Sequence, residues 1–406
     1  MVPAIAGRIP LVRRTKAPAL PLPERINHLT GLTVAPAGAS HHDLVARACG
    51  VLNYAALIAS DVGLPDLAAD LCWRQHQLFA HTGRLSGPIA VMSLMPLVNL
   101  SRLLTRDGQG EAAYDLLVRL NHAARQREKT EIDGRTVDLS DLTGTNEDHR
   151  TVCRELWVTL LVDGARALAR IGRWTDAAEA MAQHRGIGNR LLDGRQIKIM
   201  ALMEQGLDQQ ARELIDTTQP TEPWEMTVAT ILGAYCRPAA APLPRADVDQ
   251  AQRAAASLLA DPESSIAVFQ ARTGLAALEL DADGPHTHSL LSALADVARL
   301  DAYAACEVLD HPTTRTLLSA ERASALGSVV ANAGLGSGNL PADHQRALTE
   351  SVAFSEAELR RLLRDDQATP GNPPKEVPQP QRRQGRRHGP QRGPHVLAPA
   401  HPVPEG

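Results

Sequence analysis

Apolar residues recur along most of this chain at intervals of three and four. Leu44, Ala48, Val51, Leu52, Ala55 and Leu57 make one such stripe, Leu156, Leu160, Leu161, Ala165 and Leu168 a second, and Leu290, Leu291, Leu294, Val297 and Leu300 a third. That spacing gives an α-helix one apolar face. Strict alternation, the mark of a half-buried strand, is nearly absent. The exception is 131–138, Glu-Ile-Asp-Gly-Arg-Thr-Val-Asp, whose Asp133-Gly134 pair signals a two-residue hairpin turn. The chain therefore reads as all-α, with a small β-hairpin inserted near 131–138.

Four segments repeat one pattern: a glycine, an alanine five residues on, and an apolar residue nine on. They begin at Gly63, Gly108, Gly172 and Gly206; the alanines are Ala68, Ala113, Ala177 and Ala211, and the later residues Cys72, Leu117, Met181 and Ile215. A glycine can end one helix in the left-handed conformation, and a small alanine lets the next helix approach closely. The set resembles tetratricopeptide (TPR) repeats over roughly 45–220. Gly172 and Gly206 are 34 residues apart, that family's period. Trp174 stands where such a repeat carries its aromatic. The other intervals are longer, 45 from Gly63 to Gly108 and 64 from Gly108 to Gly172. The resemblance implies antiparallel helical hairpins stacked into a right-handed superhelix, an α-solenoid, with a concave face that binds a protein or peptide.

Beyond the repeats the pattern predicts helices at 223–236, 246–259, 264–280, 288–309, 313–332 and 341–364, so 221–366 continues or caps the array. Residues 1–40 read as a largely irregular, proline-rich lead-in with a short helix near 23–32, and 367–406 as a disordered tail rich in Pro, Arg, Gly and Gln. Charge separates along these regions. The lead-in sets Arg8, Arg13, Arg14, Lys16 and Arg25 against Glu24, a balance of +4; the tail sets six basic residues against two acidic, again +4. With a net charge of −4, the body between them carries −12. Thirty-eight of the 42 basic residues are arginine, a bias that points to a GC-rich, bacterial genome.

Composition removes some functions. Aromatics at 3% leave little for an aromatic-lined pocket or base stacking. No apolar run reaches 18 residues and the prolines of the lead-in interrupt any signal-peptide core, so neither a membrane span nor a secretory signal is expected. The five cysteines lack paired spacing and read as buried thiols of a cytoplasmic protein. No catalytic constellation, cofactor motif or metal-ligand spacing is found: Gly334-Leu-Gly-Ser-Gly338 follows a helix and reads as its cap, and His41-His42, His286/His288 and Glu147-Asp148-His149 read as helix-start surface.

The residues with binding chemistry come from the repeat offsets. Six and two positions before the turn glycine lie Arg102 and Arg106 in the second unit and Arg166 and Arg170 in the third; the first unit has Leu57 and Asp61 there, the fourth Met200 and Glu204. Four residues apart, each pair shares a helix face. One reading is a basic patch that, with Asn53 and Asn99, grips an acidic partner segment. The other is solvated helix faces in an Arg-rich sequence, or ion pairs to neighbouring acids. The expected function is a non-catalytic interaction scaffold. Two alternatives stand beside it: a sensor half of a transcription regulator, or a helical enzyme whose site assembles from distant residues. Nucleic acid is not expected as a partner, except through the Arg-rich tail.

Overall fold

In the computed structural model, which describes residues 4–80, 82–236 and 243–368, the four turn glycines share one conformation. Gly63, Gly108, Gly172 and Gly206 have φ of 87°, 76°, 78° and 73°. At each, the amide after the glycine reaches back five residues: Leu64 to Ala59, Gln109 to Leu104, Arg173 to Leu168 and Leu207 to Leu202, at 2.9, 2.9, 3.0 and 2.9 Å. These are four Schellman caps, which satisfy carbonyls that a helix end otherwise orphans. A side chain here would force a left-handed backbone on an L-residue. The four alanines are completely buried and the four later residues nearly so.

The molecule is all-α with one small hairpin. Helices α1 (Leu22–Gly31), α2 (His41–Asp61), α3 (Pro65–Phe79), α4 (Gly87–Arg106) and α5 (Gly110–Gln126) come first. Strands β1 (Lys129–Ile132) and β2 (Arg135–Asp138) pair antiparallel, Ile132 opposite Arg135, around Asp133 and Gly134, both at positive φ. Then α6 (Asn146–Thr159) runs through a single π turn, Leu160–Gly164, into α7 (Ala165–Arg170). Next come α8 (Trp174–Gln183), α9 (Asp193–Glu204), α10 (Asp208–Asp216), α11 (Pro223–Tyr235), α12 (Arg245–Leu259) and α13 (Ala267–Leu278). The last are α14 (Thr287–Ala298), α15 (Ala302–Asp310), α16 (Pro312–Leu317), α17 (Ala320–Ala333) and α18 (Ala342–Ala368). Sequential neighbours pack together, α2 on α3, α4 on α5, α7 on α8, α9 on α10.

Two expected helices are each broken in two. The stripe across 288–309 is interrupted where buried Asp301 caps α15, accepting from the Tyr303 and Ala304 amides at 2.6 and 3.3 Å. That across 313–332 is interrupted where Ser319 caps α17. At each break the cap side chain satisfies amides that begin a new helix and have no carbonyl four residues back. The last helix extends to Ala368, a turn beyond expectation. The tail's remainder lies outside the described residues.

The helix packing closes on itself. Helix α18 lies against α1, α2 and α3. The Gly334–Gly338 loop caps α17 through Gly334, at φ 70°, and its Gly336 and Gly338 amides donate to the Asp61 and Val62 carbonyls at 2.8 and 2.7 Å. It docks on the first turn glycine and is part of the closure.

The lead-in lacks regular structure between its 3-10 turn (Ala4–Arg8) and α1, but it is not loose. Ile5, Ile9, Leu11 and Val12 are buried in one apolar cluster with α8, α9, α11 and α13, Ala19 in a second with Ala302 and Ala333, and Leu22, Ile26 and Leu29 in a third with α2 and α18. Each large apolar side chain so buried contributes about 1.5–3 kcal/mol. Residues 4–21 form a strap that joins helices distant in sequence.

Candidate functional site

The six residues singled out by the repeat offsets fall into separate groups. Asn53 on α2, Asn99 on α4 and Arg102 on α4 form one hydrogen-bonded row: Asn99 Nδ2 donates to Asn53 Oδ1 at 3.1 Å, and Arg102 Nη1 to Asn99 Oδ1 at 3.0 Å. Arg102 also donates through Nε and Nη2 to Asp163 Oδ2, at 3.1 and 2.9 Å. Arg106 instead donates to Asp61 Oδ1 at 2.9 Å and Ser60 Oγ at 2.7 Å. Arg166 donates from Nε to Asp193 Oδ1 at 2.8 Å. Arg170 is exposed and makes no ion pair among the described residues. Three of the four arginines thus engage acids of the chain itself, and Arg106 to Asp61 joins residues that stand two before successive turn glycines. Arg102 keeps 47% of its side chain open to solvent.

Each acid is positioned by a specific local device. Asp163 sits in the π turn, where the register of α6 shifts. Tyr114 packs on Gly164 beside it, with its Cδ2 3.2 Å from where a Cβ would stand. Asp193 is the first residue of α9 and is almost completely buried. Burial alone would raise its carboxyl, but Arg166 and Arg14 outweigh that and hold it below its ordinary value. Asp61 takes three donors: Arg106, Arg25 Nη2 at 2.5 Å and the Tyr303 hydroxyl, which is pushed well up by burial and by Asp61.

The strap supplies residues that the repeat offsets could not indicate. The Gln196 carboxamide brackets Leu11, accepting from its amide and donating to its carbonyl, both at 2.7 Å. Four of the five cations of the lead-in meet acids of the body. Arg8 makes a bidentate pair with Glu279 at 2.6 and 2.9 Å, Arg13 meets Glu263 at 3.3 Å, Arg14 meets Asp193 at 3.2 Å, and Arg25 meets Asp61. The separation of charge between lead-in and body is therefore an internal complementarity. The fifth cation, Lys16, is exposed and makes no ion pair among the described residues.

Conventional reactive groups are subdued. All five cysteines are free; Cys49, Cys72 and Cys236 are buried, Cys153 and Cys306 half-buried. Burial pushes the Cys49 and Cys72 thiols up to about 12 and Cys236 up to about 11, far from thiolate chemistry. His76, His149 and His184 are lowered, chiefly by burial. Among the described residues no group of three or more His, Cys, Asp or Glu could hold a metal ion. A surface recess of about 300 Å³, lined by Arg212, Asp216, Met226 and Thr230, includes none of the six residues singled out above. Helices α2 and α4 are long and apolar enough by length and composition to cross a membrane, and both are packed core helices here, half or more of each window buried.

Compared with protein-family models, with curated proteins and with solved structures, the chain matches none.

Proposed function

We propose that this chain is a non-catalytic, cytoplasmic binding protein with a TPR-like array of helical hairpins. On this reading it holds an extended, acidic segment of a partner protein along Asn53, Asn99, Arg102 and Arg166. The four identical Schellman turns, each followed by a fully buried alanine, support the TPR-like part.

The observation that carries the binding part is the seat of the strap. Side chains of the array already hold one extended segment by main-chain hydrogen bonds from Gln196 and by Arg–carboxylate pairs. A partner segment would use the same chemistry on the open row of Asn53, Asn99 and Arg102. There Asn99 and Asn53 offer amide groups of the kind that read a backbone, and Arg102 offers a solvent-facing guanidinium. An incoming carboxylate would compete with Asp163 for Arg102, so partners with several acids should be favoured.

The test is a pull-down from native lysate with cross-linking and mass spectrometry, comparing wild type with Asn99→Ala/Arg102→Ala, both first shown to be folded by circular dichroism and melting. Alanine is preferred to charge reversal at Arg166, which would put a second negative charge against buried Asp193. A protein captured by the wild type, cross-linked within 53–102 and lost in the folded variant supports the reading. Equal capture by both, or capture cross-linked elsewhere, contradicts it.

A further inference from the structure

The recess of about 300 Å³ is lined by α10, α11 and α12, and its lining is of mixed sign. One side is a face of α11, where Met226, Ala229, Thr230 and Gly233 follow at intervals of three and four. Met226 is 55% exposed, an apolar thioether that adapts to what it meets. Arg212 on α10 reaches across to α11, where its Nη1 donates to the Gly233 carbonyl at 3.0 Å. A Cβ on residue 233 would stand 3.2 Å from that nitrogen, so glycine makes room for the guanidinium. Arg212 Nε lies 3.3 Å from Asp216 Oδ1, an exposed acid that water screens, and Nη2 makes no hydrogen bond among the described residues.

A second guanidinium stands behind the lining. Arg195 on α9 is 5% exposed, yet its acceptors among the described residues are all neutral. They are the Leu214 and Gly188 carbonyls and the Thr217 and Thr218 hydroxyls, at 2.7–3.1 Å. Thr218 itself lines the recess, with its Oγ1 3.1 Å from Arg195 Nε. A buried cation with no carboxylate partner leaves positive potential on that side. Asp216 at the end of α10 and Asp247 in the first turn of α12 bring carboxylates to the same lining.

We propose that this recess binds a free α-amino acid with an apolar side chain. An anion alone would face two carboxylates, and a cation alone two guanidiniums; a zwitterion answers both signs. Its carboxylate takes the open N–H groups of Arg212, a geometry that guanidinium suits. Its ammonium turns to the carboxylates of Asp216 and Asp247, and its side chain lies against Met226 and Ala229. Ligand pockets span about 300–1,000 Å³, and this one stands at the small end, the size for a single amino acid rather than a peptide. It shares no residue with the row of Asn53, Asn99 and Arg102, so it would stand if the peptide-binding reading failed.

The experiment is titration calorimetry on the full chain with L-leucine, L-valine and L-methionine. It is repeated with the amide and the deaminated acid of the tightest binder, which remove one charge each without altering the protein. The variants are Arg212→Met, which removes the carboxylate partner, and Ala229→Leu, which fills the recess; melting curves establish that they fold. The expected result is one-to-one saturable binding of an amino acid by the wild type. It should weaken about tenfold in each variant and about tenfold for each analogue. No saturable binding of any of the three amino acids, equal binding by folded Ala229→Leu, or equal binding of both analogues overturns the proposal.

Discussion

The Gln196 carboxamide brackets the main chain of Leu11, with its oxygen 2.7 Å from the amide and its nitrogen 2.7 Å from the carbonyl. The same nitrogen also donates to the Leu191 carbonyl at 2.8 Å. Both residues are buried, so the hydrogen bonds replace water that neither could otherwise reach. One helix side chain thereby fixes the register of the strap.

Replacing Gln196 by alanine leaves a buried amide and carbonyl without partners. Each orphan costs about 1–3 kcal/mol, so Gln196→Ala should lower stability by about 3 kcal/mol. Urea unfolding measures this. A loss under 1 kcal/mol would mean that the strap re-registers or is not held there.

Asp61 is the other junction, tying Arg25, Arg106 and Tyr303 together where the first hairpin meets α1 and α15. Arg25 is 1% exposed and depends on this carboxylate. Asp61→Ala should therefore destabilise by about 3–5 kcal/mol, because it strands a buried guanidinium. Arg25→Met/Asp61→Leu, which removes both charges, should cost less than Asp61→Ala alone. A double variant that is worse than the single would show that the ion pair itself, rather than the stranded charge, holds the closure.

Acid sensitivity follows from the carboxylates held below their ordinary values. Burial works against ionisation of Asp193, Glu225 and Glu279, but Arg166 and Arg14, Arg190, and His311 with Arg8 respectively prevail. A depressed folded pKa gives stability that is complete above the unfolded value, near pH 4, and lost as pH falls through the folded value. Denaturant unfolding should thus show little change from pH 7 to about 5 and a steep decline below about 4. In Asp193→Asn that decline should be shallower, from a lower starting stability. An unchanged profile would remove Asp193 from the explanation.

Thiol labelling at pH 8 should be slow in the native protein. Cys49, Cys72 and Cys236 are buried and their thiols stay protonated, so the half-buried Cys153 and Cys306 should react first. All five should label rapidly in denaturant. Rapid native labelling of Cys49 or Cys72 would show that the first hairpin opens easily.

The helices and their turns were legible because their causes are local. The period of the stripe at Leu44–Leu57, and a glycine with alanine five residues on, act within a dozen residues. The breaks before α15 and α17 were hidden because Leu300 and Leu318 continue the apolar rhythm past the caps Asp301 and Ser319. The strap was read only as irregular: its contacts lie 185 residues away at Gln196 and 271 at Glu279. The charge split between lead-in and body was its one visible trace. The repeat offsets did find Arg102, Arg106, Arg166 and Asp61, and reading them as ion pairs to neighbouring acids describes three of the four arginines. Asp163 was out of reach, since a π turn that re-aims it breaks the period that helical reasoning relies on.

Hydrogen–deuterium exchange of the strap amides is the most direct measurement. The Leu11 and Lys16 amides donate to Gln196 and to the Ser265 carbonyl, so they should be protected as strongly as the core of α9, and Gln196→Ala should release Leu11 first. Exchange of both amides at the rate of an unstructured chain in the wild type would contradict a strap seated on the helices.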